Sequence, residues 1–379
     1  MSQGITRVLI LGGYGNFGKR IAGRLSVLNN IIILIAGRNQ NKAQQLCNEL
    51  ILKGTNGLLE AVALNFDNPQ FADDLKALSP DLVIHTGGPF QGQNYRVAEA
   101  CIASKSHYID LSDDRRFVCD ISSLNKKALE NDVLVISGAS SVPGLSSTVI
   151  DSFIDQFSSL DEIDFAIAPG NQADRGEATV KGILSYTGHP FSVFSKGKWI
   201  NQYGWMSPRK LYFNNAIGHR WLANVDIPDL ELFPKRYGPL NTVNFQAGLE
   251  LPLLHFGMVL MALFAKIGLV KDWSVLTSQI FKASEIFKNF GTDTGGMQIN
   301  LTGLDAQQKP KKLKWVLSAE NGVGPYIPII SAIILAKKLI AETLDIRGAM
   351  PCLGMYSLEE FDAEARSMGI YHHVEDYIG

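Results

Sequence analysis

The sequence has no excess of charge. Among 379 residues, 35 Lys and Arg stand against 37 Asp and Glu, a formal net charge of −2. No basic surplus is there to displace counterions, so no nucleic-acid partner is expected. Cysteine is equally scarce: Cys47, Cys101, Cys119 and Cys352 are scattered and show no CxxC spacing. That excludes a disulfide scaffold and points to a reduced compartment. No charged-then-apolar leader precedes the first apolar run, and the expected localisation is cytoplasmic. His372-His373 lies near the terminus without HxxxH spacing, so no metal centre is expected. None of the eleven tyrosines has a lysine at i+4, which removes the Tyr-x-x-x-Lys relay typical of short-chain dehydrogenases. G-x-x-x-x-G-K-[ST] is missing too, and with it P-loop ATP hydrolysis. Apart from His255, the run Leu251 to Ala265 carries no acidic or basic residue but stops at Lys266, short of the roughly 20 residues that a membrane span needs. Segment 251–270 is therefore read as a helix that is buried, meets a second subunit or makes a peripheral membrane contact.

What the chain does have is concentrated at its start. Val8 to Leu11 is an apolar, β-branched-rich run that reads as a strand buried on both faces. It opens into Gly12-Gly13-Tyr14-Gly15-Asn16-Phe17-Gly18, after which Ile21, Ala22, Leu25 and Leu28 recur at helical spacing. Gly13, Gly15 and Gly18 form G-x-G-x-x-G between strand and helix. In that context the first glycine makes the tight turn, the second admits a pyrophosphate and the third lets the helix pack on the strand. A second apolar run, Ile31 to Ala36, ends at Gly37-Arg38. An acid at this place holds the ribose 2′-hydroxyl of NAD, whereas an arginine accommodates a 2′-phosphate. Gly37 replaces the acid and Arg38 follows it, so NADP(H) is preferred over NAD(H).

The alternation continues. Leu58 to Phe66 reads as a strand followed by Asp67, which contacts an adenine amine or caps the next helix. Asp81 to Ile84 is a strand leading into His85-Thr86-Gly87-Gly88-Pro89-Phe90, a second glycine turn about 75 residues after the first. In a doubly wound sheet the two turns flank the switch-point crevice that takes a dinucleotide. Strands at His107 to Leu111 and Val133 to Ile136, with helices between, complete the pattern of a parallel sheet covered on both faces. Beyond about residue 140 the pattern changes to an α+β arrangement, and residues 171–248 are rich in Gly, Pro and aromatics, as suits functional loops.

The candidates for proton transfer and substrate binding are less sharply marked. Asp113, after the fifth strand, orients an amine or acts as acid/base, or it caps the turn that follows. Arg175, in Asp174-Arg175-Gly176-Glu177, clamps a carboxylate through its planar fork or makes a surface ion pair. His189 and His219 are loop histidines able to move protons. Ser146 and Ser147 open a helix after Pro143-Gly144 and either receive an anion or cap the helix. Tyr108 and Asp110, two apart on one strand, share a face.

VLILGGYGNFGKRIAGRL, AGRN and TGGPFQGQNYRVAEACIASKSHYIDLSDD resemble the saccharopine dehydrogenase NADP-binding family. SGASSVPGLSS looks like the next family loop, and NGVGPYIP and GAMPCLGMYSLEEF are similar to the C-terminal half of bacterial members. The resemblance implies α/β architecture: a Rossmann doubly wound parallel sheet with an inserted α+β substrate and dimerisation domain. Its domains are expected at 1–142 (Rossmann), 143–345 (substrate and dimerisation) and 346–379 (a C-terminal segment packing on the Rossmann domain). It also implies an NADP(H)-dependent oxidoreductase that moves hydride to or from a C–N/imine or carbonyl carbon of a small organic substrate, in a homodimer. A non-catalytic NADP(H)-sensing regulator and a membrane-associated, lipid-type reductase are the alternatives. The residues assigned to the cofactor are Gly12, Gly13, Gly15, Asn16, Phe17, Gly18, Arg38, Asp67, Gly87, Gly88, Pro89 and Phe90; those assigned to catalysis are Asp113, Arg175 and His189.

Overall fold

A computed structural model describes residues 6–378. The chain begins β1 (Thr6–Leu11), α1 (Gly18–Leu25), β2 (Ile31–Gly37), α2 (Gln40–Lys53), β3 (Leu58–Ala63), α3 (Phe71–Leu78) and β4 (Leu82–His85). It continues α4 (Arg96–Ala103), β5 (His107–Asp110), α5 (Arg115–Cys119), α6 (Asn125–Glu130) and β6 (Leu134–Ser137). A second stretch holds α7 (Ser146–Phe153), β7 (Ser159–Ala168), α8 (Glu177–Tyr186), β8 (Pro190–Ser195), β9 (Lys198–Tyr203), β10 (Arg209–Tyr212) and β11 (His219–Asn224). It goes on through α9 (Asp229–Arg236), β12 (Thr242–Ala247), α10 (Pro252–Lys266), α11 (Thr277–Glu285), β13 (Gly295–Leu304) and β14 (Pro310–Ala319). Last come α12 (Ile327–Ile340), β15 (Gly348–Pro351), α13 (Leu358–Arg366) and β16 (Tyr371–Ile378).

These elements divide into two compact units. The first is residues 1–145 with 328–356, and the second is 146–327 with 357–379. In the first, seven strands run in the order β15-β6-β5-β4-β1-β2-β3, and each neighbouring pair is parallel. β1, β4 and β6 are apolar runs because both of their faces are covered, and Val8, Leu9, Ile10, Val83, Ile84, Val135 and Ile136 are fully buried. This is the doubly wound α/β sheet expected. The order reverses between β1 and β4, which puts their carboxyl ends at the switch point. The helical stretch between β5 and β6 is broken: a 3₁₀ turn covers Asp120–Leu124 and α6 starts only at Asn125. The Asn125 side chain accepts the Ala349 N–H of β15 at 2.9 Å, which fixes the break against that strand.

The second unit is built on a mixed sheet ordered β10-β11-β12-β7-β13-β14-β16. β13 and β14 bury Met297, Ile299, Leu301, Leu313, Trp315 and Leu317 on one face, and Gln298 and Val316 between them are buried as well. The expected C-terminal segment 346–379 divides between the two units, residues 346–356 falling in the first. Residues 357–379 belong to the second unit, where β16 pairs antiparallel with β14 from Lys311–Ile378 to Ser318–Tyr371. α13 opens on a capping box, with Ser357 and Glu360 bonding reciprocally.

α10 is a 15-residue helix that buries His255, Met258 and Ala262 while leaving Leu253, Phe256, Leu260, Leu263 and Ile267 exposed. It is thus not a wholly buried helix. No helix among the described residues is long and apolar enough to cross a membrane.

Candidate cofactor site

The β1–α1 turn owes its shape to where a Cβ cannot go. Gly12 has φ +82°, a region that favours glycine, and a Cβ there would stand 2.8 Å from the Thr86 hydroxyl. The position that needs a left-handed residue is therefore Gly12, one place before the Gly13 to which the motif assigns the tight turn. Gly13 instead closes on β2: its N–H and that of Gly12 both donate to the Ala36 carbonyl at 2.9 Å. A Cβ on Gly18 would collide with the Gly12 carbonyl, so the third glycine lets α1 start against the turn. Gly15 is different. A Cβ there would meet only the Gly12 oxygen, at 3.0 Å, and otherwise enter open space.

That open space is a cradle that a side chain would fill, and it lies at the N-terminal, positive end of the α1 dipole. The first turn of α1 has no acidic residue to repel an anion there. Asn16 accepts from the Arg20 guanidinium through its carbonyl at 2.6 Å and its side chain at 2.5 Å, and Phe17 is half-buried at the helix entrance. These residues fit the pyrophosphate of a dinucleotide.

The second turn is tied to the first. Thr86 N–H donates to the Leu11 carbonyl at 2.8 Å, and its hydroxyl reaches the Leu11 and Gly12 carbonyls at 3.0 and 3.1 Å. Gln93 latches the turn from the other side, donating to the carbonyls of Gly87 at 2.9 Å and Pro89 at 2.7 Å. Thr86 is not singled out by the glycine motif, because its role depends on carbonyls about 75 residues upstream. Gly87 is pressed against Phe66, 2.9 Å from a Cβ, while Gly88-Pro89 is a cis peptide and Phe90 is buried against His85 and Phe117.

Below this turn lies a buried polar knot. His85 is fully buried, ringed by Phe66, Phe90 and Tyr108, with Nδ1 3.1 Å from the Tyr108 hydroxyl. Burial pulls its pKa down to about 3, so the imidazole is neutral at pH 7. On β5, Asp110 accepts from the amides of Ser112 and Gly138 at 2.9 Å and from the Ser137 hydroxyl at 3.0 Å. Its carboxyl is pushed up to about 6 because burial outweighs those bonds. Asp110 thereby holds together the loops that leave β5 and β6.

At the end of β2, Gly37 lies under the Tyr14 ring. A Cβ on Gly37 would be 2.5 Å from Tyr14 Cε1. The Tyr14 hydroxyl accepts the Asn39 N–H at 3.0 Å, and Asn39 in turn caps α2 by accepting from Lys42 N–H. Arg38 is exposed beside them, and the first turn of α2 is free of acids. Asp67 is exposed in the turn after β3, where its N–H donates to the Asn65 side chain at 3.2 Å.

The three catalytic candidates fall in different places. Asp113 is exposed at the carboxyl end of β5, within 3.3 Å of the Gln91 amide. The residue that caps α5 is Asp114, which accepts the Phe117 N–H at 2.8 Å. Arg175 and His189 belong to the second unit, before and after the ten-residue helix α8, which is about 15 Å long. Arg175 is engaged: it pairs with Glu285 at 3.2 Å and donates to the Ser284 carbonyl at 3.3 Å. His189 is half-buried just before β8.

Residues 8–136 match the family model of the saccharopine dehydrogenase NADP-binding domain. No curated protein matches the chain in sequence. Among solved structures it is similar to apo saccharopine dehydrogenase (L-Glu forming) from Saccharomyces cerevisiae, with a TM-score of 0.68 and 13% identity over 98% of this chain and 100% of that one. An amine dehydrogenase from Mycobacterium smegmatis gives a TM-score of 0.47 and 10% identity over 93% of this chain and 95% of that one. The saccharopine dehydrogenase fold thus extends over both units. Within the first unit, residues 8–136 thus match a saccharopine dehydrogenase NADP-binding domain, a match that supports NADP(H) as the cofactor.

Proposed function

We propose that the chain is an NADP(H)-dependent oxidoreductase that transfers hydride to or from a C–N/imine or carbonyl carbon of a small organic substrate. The observation that carries this reading is the pair of glycine turns joined by Thr86 at the switch point. The Gly12–Gly18 turn and the start of α1 hold the pyrophosphate, Arg38 holds the 2′-phosphate, and the Gly87–Pro89 turn takes the half of the dinucleotide beyond the switch point. The bound cofactor supplies or accepts the hydride. Asp113 is the group we assign to orienting a substrate amine or exchanging its proton, since it stands exposed where ligands approach an open α/β sheet. Consumption of NADPH by the purified chain with a panel of imines and carbonyls, lost in Asp113→Ala, is the expected result. Tight NADPH binding with no turnover on any of the panel would favour the sensing regulator instead.

A second reading concerns α10. Its exposed row of Leu253, Phe256, Leu260, Leu263 and Ile267 is bordered by Lys266 and Lys271, and no acid occurs from Leu251 to Lys271. Apolar surface flanked by basic charge suits an anionic lipid surface, on which such a helix lies without spanning.

A further inference from the structure

The place where an NAD-binding domain keeps its ribose-binding acid is occupied here by a side chain from a different element. β2 ends at Gly37, whose carbonyl accepts the Leu64 N–H at 2.9 Å. A Cβ added there would stand 2.5, 2.8 and 2.9 Å from Cε1, Cζ and Oη of Tyr14. An aspartate or glutamate at Gly37 therefore requires the ring to leave, and the hydroxyl's bond with the Asn39 N–H goes with it. That hydroxyl has a second property. In accepting from Asn39 it keeps its own proton, for which no acceptor is present among the described residues. A donor is thus held at the start of α2, one residue from Arg38, at a helix end with no acid in its first turn.

We propose that Tyr14 determines the choice between phosphorylated and unphosphorylated dinucleotide. Its ring denies Gly37 to a ribose-binding acid, and its hydroxyl serves with Arg38 as a donor to the 2′-phosphate. The inference rests on the NADP(H) reading of this domain. It places cofactor choice in the β1–α1 turn as well as at the end of β2, because Gly37 and Tyr14 are a coupled pair.

The test is calorimetric binding of NADPH, NADH, 2′,5′-ADP and 5′-AMP to the full chain, without any assay of turnover. The two adenosine fragments differ only in the 2′-phosphate and read this pocket alone. Tyr14→Phe keeps the ring and removes the donor. It should weaken NADPH and 2′,5′-ADP about tenfold, the scale of one hydrogen bond to a charged group, and leave NADH and 5′-AMP unchanged. Gly37→Asp should weaken both dinucleotides, whereas Tyr14→Ala/Gly37→Asp should bind NADH at least about tenfold more tightly than Gly37→Asp does. Thermal unfolding of each variant identifies any that fails to fold. If Gly37→Asp is one of these, Tyr14→Phe alone decides the matter. An unchanged NADPH-to-NADH ratio in Tyr14→Phe, or Gly37→Asp binding NADH as tightly as the double variant, would overturn the role of Tyr14 while leaving the NADP(H) reading intact. A parent protein that binds both dinucleotides equally would overturn that reading and this inference together.

Discussion

The hydroxyl of Thr86 bonds to the carbonyl of Gly12 across the switch point, so that the turn after β4 is pinned to the turn after β1. The same oxygen stands where a Gly12 side chain would go. One bond therefore both fixes the spacing of the two turns and depends on the missing Cβ.

Thr86→Val preserves the shape of Thr86 and removes the donor. We expect a loss of about 1 kcal/mol in stability, the usual worth of such a bond, and several-fold weaker NADPH binding. Thr86→Ser should restore most of both. Urea unfolding and calorimetric titration measure the two effects, and an unchanged affinity in Thr86→Val would show that the bond does not position the turns.

Arg38→Ala should cost NADPH binding about 1.5 to 3 kcal/mol, the range for hydrogen bonds to charged groups, and leave NADH binding unaltered. Its guanidinium is exposed and takes no part in the core, so stability should change little. Equal losses for both dinucleotides would place Arg38 outside the 2′-phosphate site.

His85 gives the protein a specific response to acid. Its folded pKa of about 3 lies below the ordinary histidine value of 6.5. From pH 6.5 down to about 3 the unfolded chain binds a proton that the folded chain refuses, and stability falls as pH falls. Asp110 acts in the opposite sense. With its folded pKa raised to about 6 from 3.8, it contributes stability in acid that is lost as pH rises through 6. Between about pH 4 and 6 the two slopes oppose each other. His85→Gln removes one of them. Relative to the parent, the variant should gain about 1.4 kcal/mol per pH unit as pH is lowered from 6.5 towards 4, one proton's worth. Urea melts at pH 7, 5.5 and 4.5 test this; parallel curves for parent and variant would mean that His85 is protonated in the folded state.

Leu260→Glu should abolish co-sedimentation of the protein with vesicles containing anionic lipid, because it puts a charge in the middle of the exposed row on α10. Since Leu260 is half exposed, at 51%, the fold should be retained. Binding that survives the substitution, or that is absent from the parent, would remove the lipid-docking reading.

The parts of this molecule that were legible in the sequence are those set by neighbours in the chain. The β1 run, the glycine turn that follows it and the apolar run that becomes β2 each depend on spacing within a dozen residues. Side chains that act across elements left no such trace. Tyr14 looks like a filler between two glycines until the fold brings it over Gly37. Thr86 looks like an ordinary loop residue until its hydroxyl is seen to hold the Leu11 and Gly12 carbonyls of the first turn. β16 was missed for a related reason: Tyr371 to Ile378 is a polar edge strand, and only its pairing with β14 identifies it. Arg175 carries the residue type expected for a carboxylate clamp, but the acid it holds is Glu285 of the same chain.

β15 gives the first unit a long wait during synthesis. Its four residues pair with β6 more than 200 positions upstream, Gly348 lying opposite Leu134. While the ribosome is making everything between them, β6 has an open edge with nothing beside it, the arrangement most prone to pairing with the wrong partner. A fragment cut at residue 145 would keep every glycine of the cofactor turns and still lack the strand that closes this edge. The nucleotide domain is thus completed only after residues 146–327 of the second unit have been made.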